Sequence, residues 1–102
     1  MHSAALCQED KIVAFAEDIG RHNAVDKIVG EVILKGEETK DKFLLLFGRV
    51  SSEILIKAAR LGVPLIVSRS APTNMAIKLA KQLNITLAGF ARGERLNLYT
   101  PI

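Results

Sequence analysis

Three apolar runs separated by two helix-length segments fill the second half of this chain, and they leave few ways to fold it. Phe43-Leu44-Leu45-Leu46-Phe47, Val63-Pro64-Leu65-Ile66-Val67 and Ile85-Thr86-Leu87-Ala88-Gly89-Phe90 each read as a strand. A continuous apolar run is what a strand covered on both faces requires. Pro64 fits best near the start of its strand, where no ladder donor is lost. Between the first two runs, Gly48-Arg49-Val50-Ser51-Ser52 leads into a helix through about Leu61, which Gly62 ends. Between the second and third, Ser68-Arg69-Ser70-Ala71-Pro72 leads into a helix with Ala76, Leu79, Ala80 and Leu83 on one face. Strand, helix, strand, helix, strand with short links means parallel strands joined by right-handed crossovers.

The first half reads differently. Ala4-Ala5-Leu6-Cys7 and Lys11-Ile12-Val13-Ala14-Phe15 are strand-like, and the polar Gln8-Glu9-Asp10 between them makes a hairpin. Glu17-Asp18-Ile19-Gly20-Arg21-His22-Asn23 reads as a polar, irregular link. Val25, Ile28, Val29, Val32 and Ile33 then fall on one face of an amphipathic helix, with Gly36 placed to end it. At the other end of the chain, Arg95-Leu96-Asn97-Leu98-Tyr99 alternates polar and apolar, as an edge strand does. The expected fold is a single α/β domain over residues 1–102, a three-layer sandwich around a mixed sheet of four or five strands.

Composition narrows the function classes. At 102 residues the chain is one domain, and with 49% hydrophobic residues it is a globular one. No apolar run is long enough to span a membrane. Met1-His2-Ser3-Ala4 carries no secretory pattern. The single cysteine, Cys7, fits a reducing, cytoplasmic setting. The net charge of +3 is unevenly spread. Residues 1–42 hold 6 Lys or Arg against 9 Asp or Glu, whereas residues 43–102 hold 8 against 2. An anionic ligand or partner met by the second part is the physical implication. Lys57, Arg60, Lys78 and Lys81 read as solvated helix faces, as do Asp26 and Lys27.

Ligands of an open parallel sheet bind outside the carboxyl ends of its strands. Each of the three ends carries an arginine: Arg49, Arg69 and Arg92. Ser51 and Ser52 follow the first, and Ser68 and Ser70 flank the second. Both of those loops run into helix amino ends, which favour anions. Together they suggest a cradle for phosphate or pyrophosphate; Ser51 and Ser70 equally suit ordinary helix caps. Arg92-Gly93-Glu94-Arg95 beside Phe90 is either a polar turn or a grip for a planar ring. His22 is suited to acid–base work near neutrality or to a structural place at a helix start. Asp18 and Asn23 suit caps.

Two enzyme readings fail on the residues. A hairpin, a helix and βαβαβ is also the order of elements in zinc-dependent nucleoside deaminases, which hold the metal with His-x-Glu and Pro-Cys-x-x-Cys. Here Asn23 and Ala24 follow His22, and the next helix begins Arg49-Val50-Ser51-Ser52-Glu53. Cys7 lies within an apolar strand, where a cysteine is ordinarily a small core residue. The chain has neither a P-loop nor a GxGxxG pattern.

Glu17-Asp18-Ile19-Gly20-Arg21-His22-Asn23-Ala24-Val25-Asp26-Lys27 resembles the signature segment of the formate dehydrogenase accessory protein FdhD family. Gly48-Arg49-Val50-Ser51-Ser52-Glu53, Ser68-Arg69-Ser70-Ala71-Pro72-Thr73 and Leu87-Ala88-Gly89-Phe90-Ala91-Arg92 resemble its later blocks in order, and Tyr99-Thr100 its carboxy-terminal end. The resemblance covers essentially the whole chain. It implies a cytidine-deaminase-like fold without the zinc, in cytoplasmic, generally dimeric sulfurtransferases. Such proteins take sulfur from a cysteine desulfurase and pass it to the molybdenum cofactor of formate dehydrogenase, a bis(molybdopterin guanine dinucleotide). By the same resemblance Phe90, Ala91, Arg92, Gly93, Glu94 and Arg95 bind that cofactor. Arg49, Ser51, Ser68, Arg69, Ser70, Arg21 and His22 complete the candidate set, and a guanine nucleotide is a surrogate ligand. Neither nucleic acid nor membrane is an expected partner.

The family's persulfide is carried on a Cys-x-x-Cys loop that lies upstream of the matching segment, and Cys7 does not occupy its place. A persulfide carrier needs an accessible, activated thiolate. The expectation is a chain that binds the cofactor without transferring sulfur, with no catalytic residue of its own. The alternative is a non-catalytic nucleotide-binding or dimerisation module of deaminase-like fold.

Overall fold

A computed structural model describes residues 2–90 and 96–100. Two antiparallel strands open the chain, β1 (His2–Gln8) and β2 (Lys11–Asp18), joined at Glu9 and Asp10 with Glu9 in the left-handed region at φ 55°. Helix α1 (Arg21–Lys35) follows. Strand β3 (Phe43–Leu46), helix α2 (Ser52–Leu61), strand β4 (Leu65–Ser68), helix α3 (Asn74–Gln82) and strand β5 (Thr86–Phe90) then alternate, before β6 (Leu96–Leu98).

The strands form one mixed sheet in the order β2-β1-β3-β4-β5-β6. β3, β4 and β5 are parallel neighbours, whereas β1 and β6 run against them. The α/β class and the mixed sheet agree with expectation, but the described helices make one layer on one face of the sheet, where the expected sandwich has a layer on each. The sheet has six strands instead of four or five, because both hairpin strands and the terminal edge strand all pair into it. The link read as irregular between residues 17 and 23 is shorter than expected. Glu17 and Asp18 still pair in β2, and α1 starts at Arg21.

Local chemistry sets the helix ends. Gly36 (φ 63°) and Gly62 (φ 89°) end α1 and α2 in the left-handed conformation that a side chain disfavours. The Ser51 hydroxyl accepts from the Ile54 N–H to cap α2, as expected. Thr73, not Ser70, caps α3, accepting from Ala76 N–H. Gly20 starts α1 with no side-chain cap.

Register assigns every sheet residue to a face. Ala14, Leu6, Leu44, Ile66 and Leu87 form one row across five strands, and all are buried in the hydrophobic core. Val25, Ile28 and Val32 of α1, Ile54, Leu55 and Ala58 of α2, and Ala76 and Ala80 of α3 pack onto that face. α1 touches α2 and α2 touches α3, so the three helices form a single layer. Lys57 of α2 reaches Asp26 of α1 at 3.0 Å instead of standing free in solvent. Ile33, expected on the buried face of α1, is 73% exposed, and Leu83 after α3 is 44% exposed. Val32 is the last residue of α1 in the core and Ile33 turns away from it, while Leu83 lies past the end of α3.

Candidate functional site

The topology collects the loops expected to carry chemistry at one edge. β2 runs parallel to β3, since both are antiparallel to β1. The carboxyl ends of β2, β3, β4 and β5 and the amino ends of α1, α2 and α3 therefore share that edge. The start of β1 lies there too, and brings His2 and Ser3. The Phe47 N–H donates to the Ser3 carbonyl (3.1 Å), the Arg69 N–H to the Leu46 carbonyl (2.9 Å), and the Thr73 N–H to the Val50 carbonyl (3.0 Å).

Arg49 is exposed and lines a shallow, open depression with His2, Ser3, Leu46, Gly48 and Ile54. Arg69 is exposed as well, its guanidinium 5.9 Å from the centre of the Phe47 ring. This cation–π contact holds the charge near the rim without neutralising it. Arg49 and Arg69 are thus brought to a common edge. Arg92, the third arginine of the expected cradle, lies outside the described residues, with Ala91, Gly93, Glu94 and Arg95. Phe90 ends β5 at the same edge, and Arg21 and His22 open α1 there.

The serines divide by role. Ser51 is engaged as a cap. Ser68 is fully buried, its Oγ 2.7 Å from the carbonyl oxygens of both Gly48 and Ser70 and accepting the Ser70 N–H at 3.0 Å. One hydroxyl therefore ties the β3–α2 loop to the β4–α3 loop. Its role is to hold the two arginine-bearing loops in register. A serine at a strand end gave no sign in the sequence of which of these roles it would take.

Asp18 organises the signature segment. Its Oδ1 accepts from the Gly20 N–H (3.1 Å) and the Asn23 amide (3.3 Å), and its Oδ2 lies 2.9 Å from Lys27 Nζ. Lys27 also donates to the Glu17 carbonyl (2.9 Å), so it faces back along the strand instead of standing on a free helix face. The Lys27 ammonium, with the Gly20 and Asn23 donors, lowers the Asp18 carboxyl to about 2. The bracing fixes the backbone where Arg21 and His22 emerge. The spacing of Asp18, Gly20, Asn23 and Lys27 was the available signal; from sequence Asp18 and Asn23 read as caps and Lys27 as a solvated helix face.

Cys7 is buried in β1 between Ile12 and Phe43 in the sheet register. Burial pushes its thiol up, away from the thiolate. Among the described residues no group of three or more His, Cys, Asp or Glu is placed to hold a metal ion, and no helix is long and apolar enough to cross a membrane.

Comparison with known proteins gives the family. The profile of the FdhD/NarQ family matches residues 1–102. Proteins described as sulfur carrier protein FdhD are 54% identical in Listeria monocytogenes serotype 4b and 49% identical in Bacillus subtilis, each over 98% of this chain. A crystal structure described as a formate dehydrogenase accessory protein from Desulfotalea psychrophila superposes with a TM-score of 0.88 at 36% identity, over 98% of this chain. The chain spans 38% of the length of those curated relatives and 43% of that structure. With the whole chain matched in sequence and in fold, it belongs to the FdhD/NarQ family.

Proposed function

We propose that this chain is the cofactor-holding portion of a sulfur carrier that serves the maturation of formate dehydrogenase. Its ligand on this reading is the bis(molybdopterin guanine dinucleotide) form of the molybdenum cofactor, held by its phosphates along the rim. One observation above the others supports it. Arg49 and Arg69 stand on one sheet edge together with the amino ends of three helices, a donor set whose chemistry suits pyrophosphate. The Arg69–Phe47 pair offers a planar contact for a ring beside that charge. Phe90, Arg92 and Arg95, by family resemblance, would add to the grip. Bound there, the cofactor would supply the molybdenum chemistry, while this chain's residues bind, orient and shield it.

The sulfur would come from a cysteine desulfurase and go to the cofactor. Cys7 is unsuited to that relay, being buried with its thiol pushed up. The carrier thiol must therefore be supplied by residues other than those of this 102-residue sequence. A homodimer and a cytoplasmic setting belong to the same proposal.

Isothermal titration with guanosine diphosphate tests the reading. Binding is expected for the diphosphate and not for guanosine, with loss of affinity as salt rises. Arg49→Ala and Arg69→Ala should each weaken it about 10- to 100-fold, the worth of a charge-assisted hydrogen bond. A folded protein that takes up no guanosine diphosphate, or that binds guanosine equally well, would refute the proposal.

A further inference from the structure

His2 opens β1, and antiparallel pairing carries it to the edge where β3, β4 and β5 end. Continued past Ala4 and Leu46, the β1–β3 register sets His2 beside Gly48. The partly buried side chain follows that register, with its Nδ1 3.4 Å from where a Cβ on Gly48 would stand. The described glycines with a left-handed backbone are Gly36 and Gly62, so conformation does not require glycine at 48. What it supplies there is room for the imidazole to rest against the loop. Ser68 Oγ holds the Gly48 carbonyl at 2.7 Å, which fixes that floor. On its other side His2 pairs in register with Asp18, whose oxygens are engaged by Gly20, Asn23 and Lys27. His2, Gly48 and Arg49 line one shallow depression.

We infer that this depression seats the terminal phosphoryl group of the rim's ligand, with His2 as the residue that tells a diphosphate from a monophosphate. Resting on the nucleotide reading of the rim, this gives the ligand a direction. The sheet order runs β1-β3-β4, so His2 stands two strands from Arg69, about 10 Å at the spacing of strands in a sheet. The planar contact lies at the far end of that span, where the Arg69 guanidinium faces the Phe47 ring. A nucleoside diphosphate laid across these strands, its ring beside Phe47 and Arg69, brings its second phosphorus to β1 and leaves its first over β3. An imidazole N–H and a guanidinium are both donors suited to phosphoryl oxygens. The amino end of α2 is less suited to hold the group by itself, because Glu53 puts a carboxylate in its first turn.

Isothermal titration of the 102-residue protein with guanosine diphosphate and guanosine monophosphate tests the assignment. The wild type should prefer the diphosphate by about 10-fold, the worth of one charge-assisted hydrogen bond. His2→Ala should remove that preference by weakening the diphosphate alone, with the monophosphate within about twofold of wild type. Arg69→Ala should weaken both nucleotides alike, since the ring contact is common to them. Gly48→Ala is a second approach to the same seat. Its methyl enters the floor of the depression at van der Waals distance from the imidazole, with no left-handed φ to strain, and it should narrow the preference as His2→Ala does. Should His2→Ala fail to fold, as a thermal melt would show, Gly48→Ala decides. Equal weakening of both nucleotides by His2→Ala would make His2 a structural residue and overturn the assignment. A diphosphate preference that survives both variants would overturn it too, while leaving the rim a nucleotide site. Failure of the wild type to bind either nucleotide would remove the rim reading and the assignment with it.

Discussion

Replacing Ser68 by alanine should destabilise the fold and loosen the rim together. Ser68 is fully buried at the end of β4. Its hydroxyl has one proton to share between the Gly48 and Ser70 carbonyls, each 2.7 Å away, and it accepts the Ser70 N–H. Alanine leaves that N–H and at least one carbonyl without a partner. The lost hydrogen bond contributes about 1 kcal/mol net, and an unpaired group closed to water costs about 1–3 kcal/mol. A total near 2–3 kcal/mol corresponds to a fall in Tm of about 8–24 °C for a domain of this size. Thermal melts followed by circular dichroism read it directly, and urea melts should give the same ordering. Ser68→Cys keeps a weak donor and should fall between wild type and Ser68→Ala. Below the melting range, Ser68→Ala should also weaken guanosine diphosphate binding, since the two arginine-bearing loops lose their tie. A change in Tm of under about 2 °C would refute the latch.

The glycines give an opposed pair. Gly30 is exposed within α1 with open space where a Cβ would go, so Gly30→Ala should stabilise by about 0.5–1 kcal/mol. Gly62 sits at φ 89° with a Cβ position 3.0 Å from Thr39 Oγ1, which itself donates to the Leu61 carbonyl, so Gly62→Ala should cost about 1–2 kcal/mol; denaturant melts that rank the two the other way would contradict this account. At Gly89 an added methyl would lie 2.9 Å from Tyr99 Cε2, and Gly89→Ala should cost about 1–3 kcal/mol by overpacking; an unchanged melt would mean that Tyr99 moves freely. Asp18, at about 2 when folded, lies below its ordinary value of 3.8. Its contribution is therefore present above about pH 4 and lost as pH falls through about 2. Asp18→Asn should flatten the loss of Tm between those values, and an acid limb identical to wild type would exclude the role.

The sequence by itself determined the order of elements, the parallel core and the family. Continuous apolar runs at residues 43–47, 63–67 and 85–90, helix stops at Gly36 and Gly62, and the Ser51 cap are local signals, legible because propensity and burial demand agree there. The placement of Arg49 and Arg69 at strand ends was legible for the same reason. Tertiary structure alone decided what depends on neighbours distant in the chain. It made Ser68 a latch between loops 20 residues apart, and turned Lys27 back onto Asp18. It also carried His2 to the rim, because β1 runs against β3. Above all it put the three helices on a single face. Hydrophobic runs carry no sign of which face a helix will take, whereas right-handed crossovers that keep stepping one way across a sheet keep their helices on one side of it.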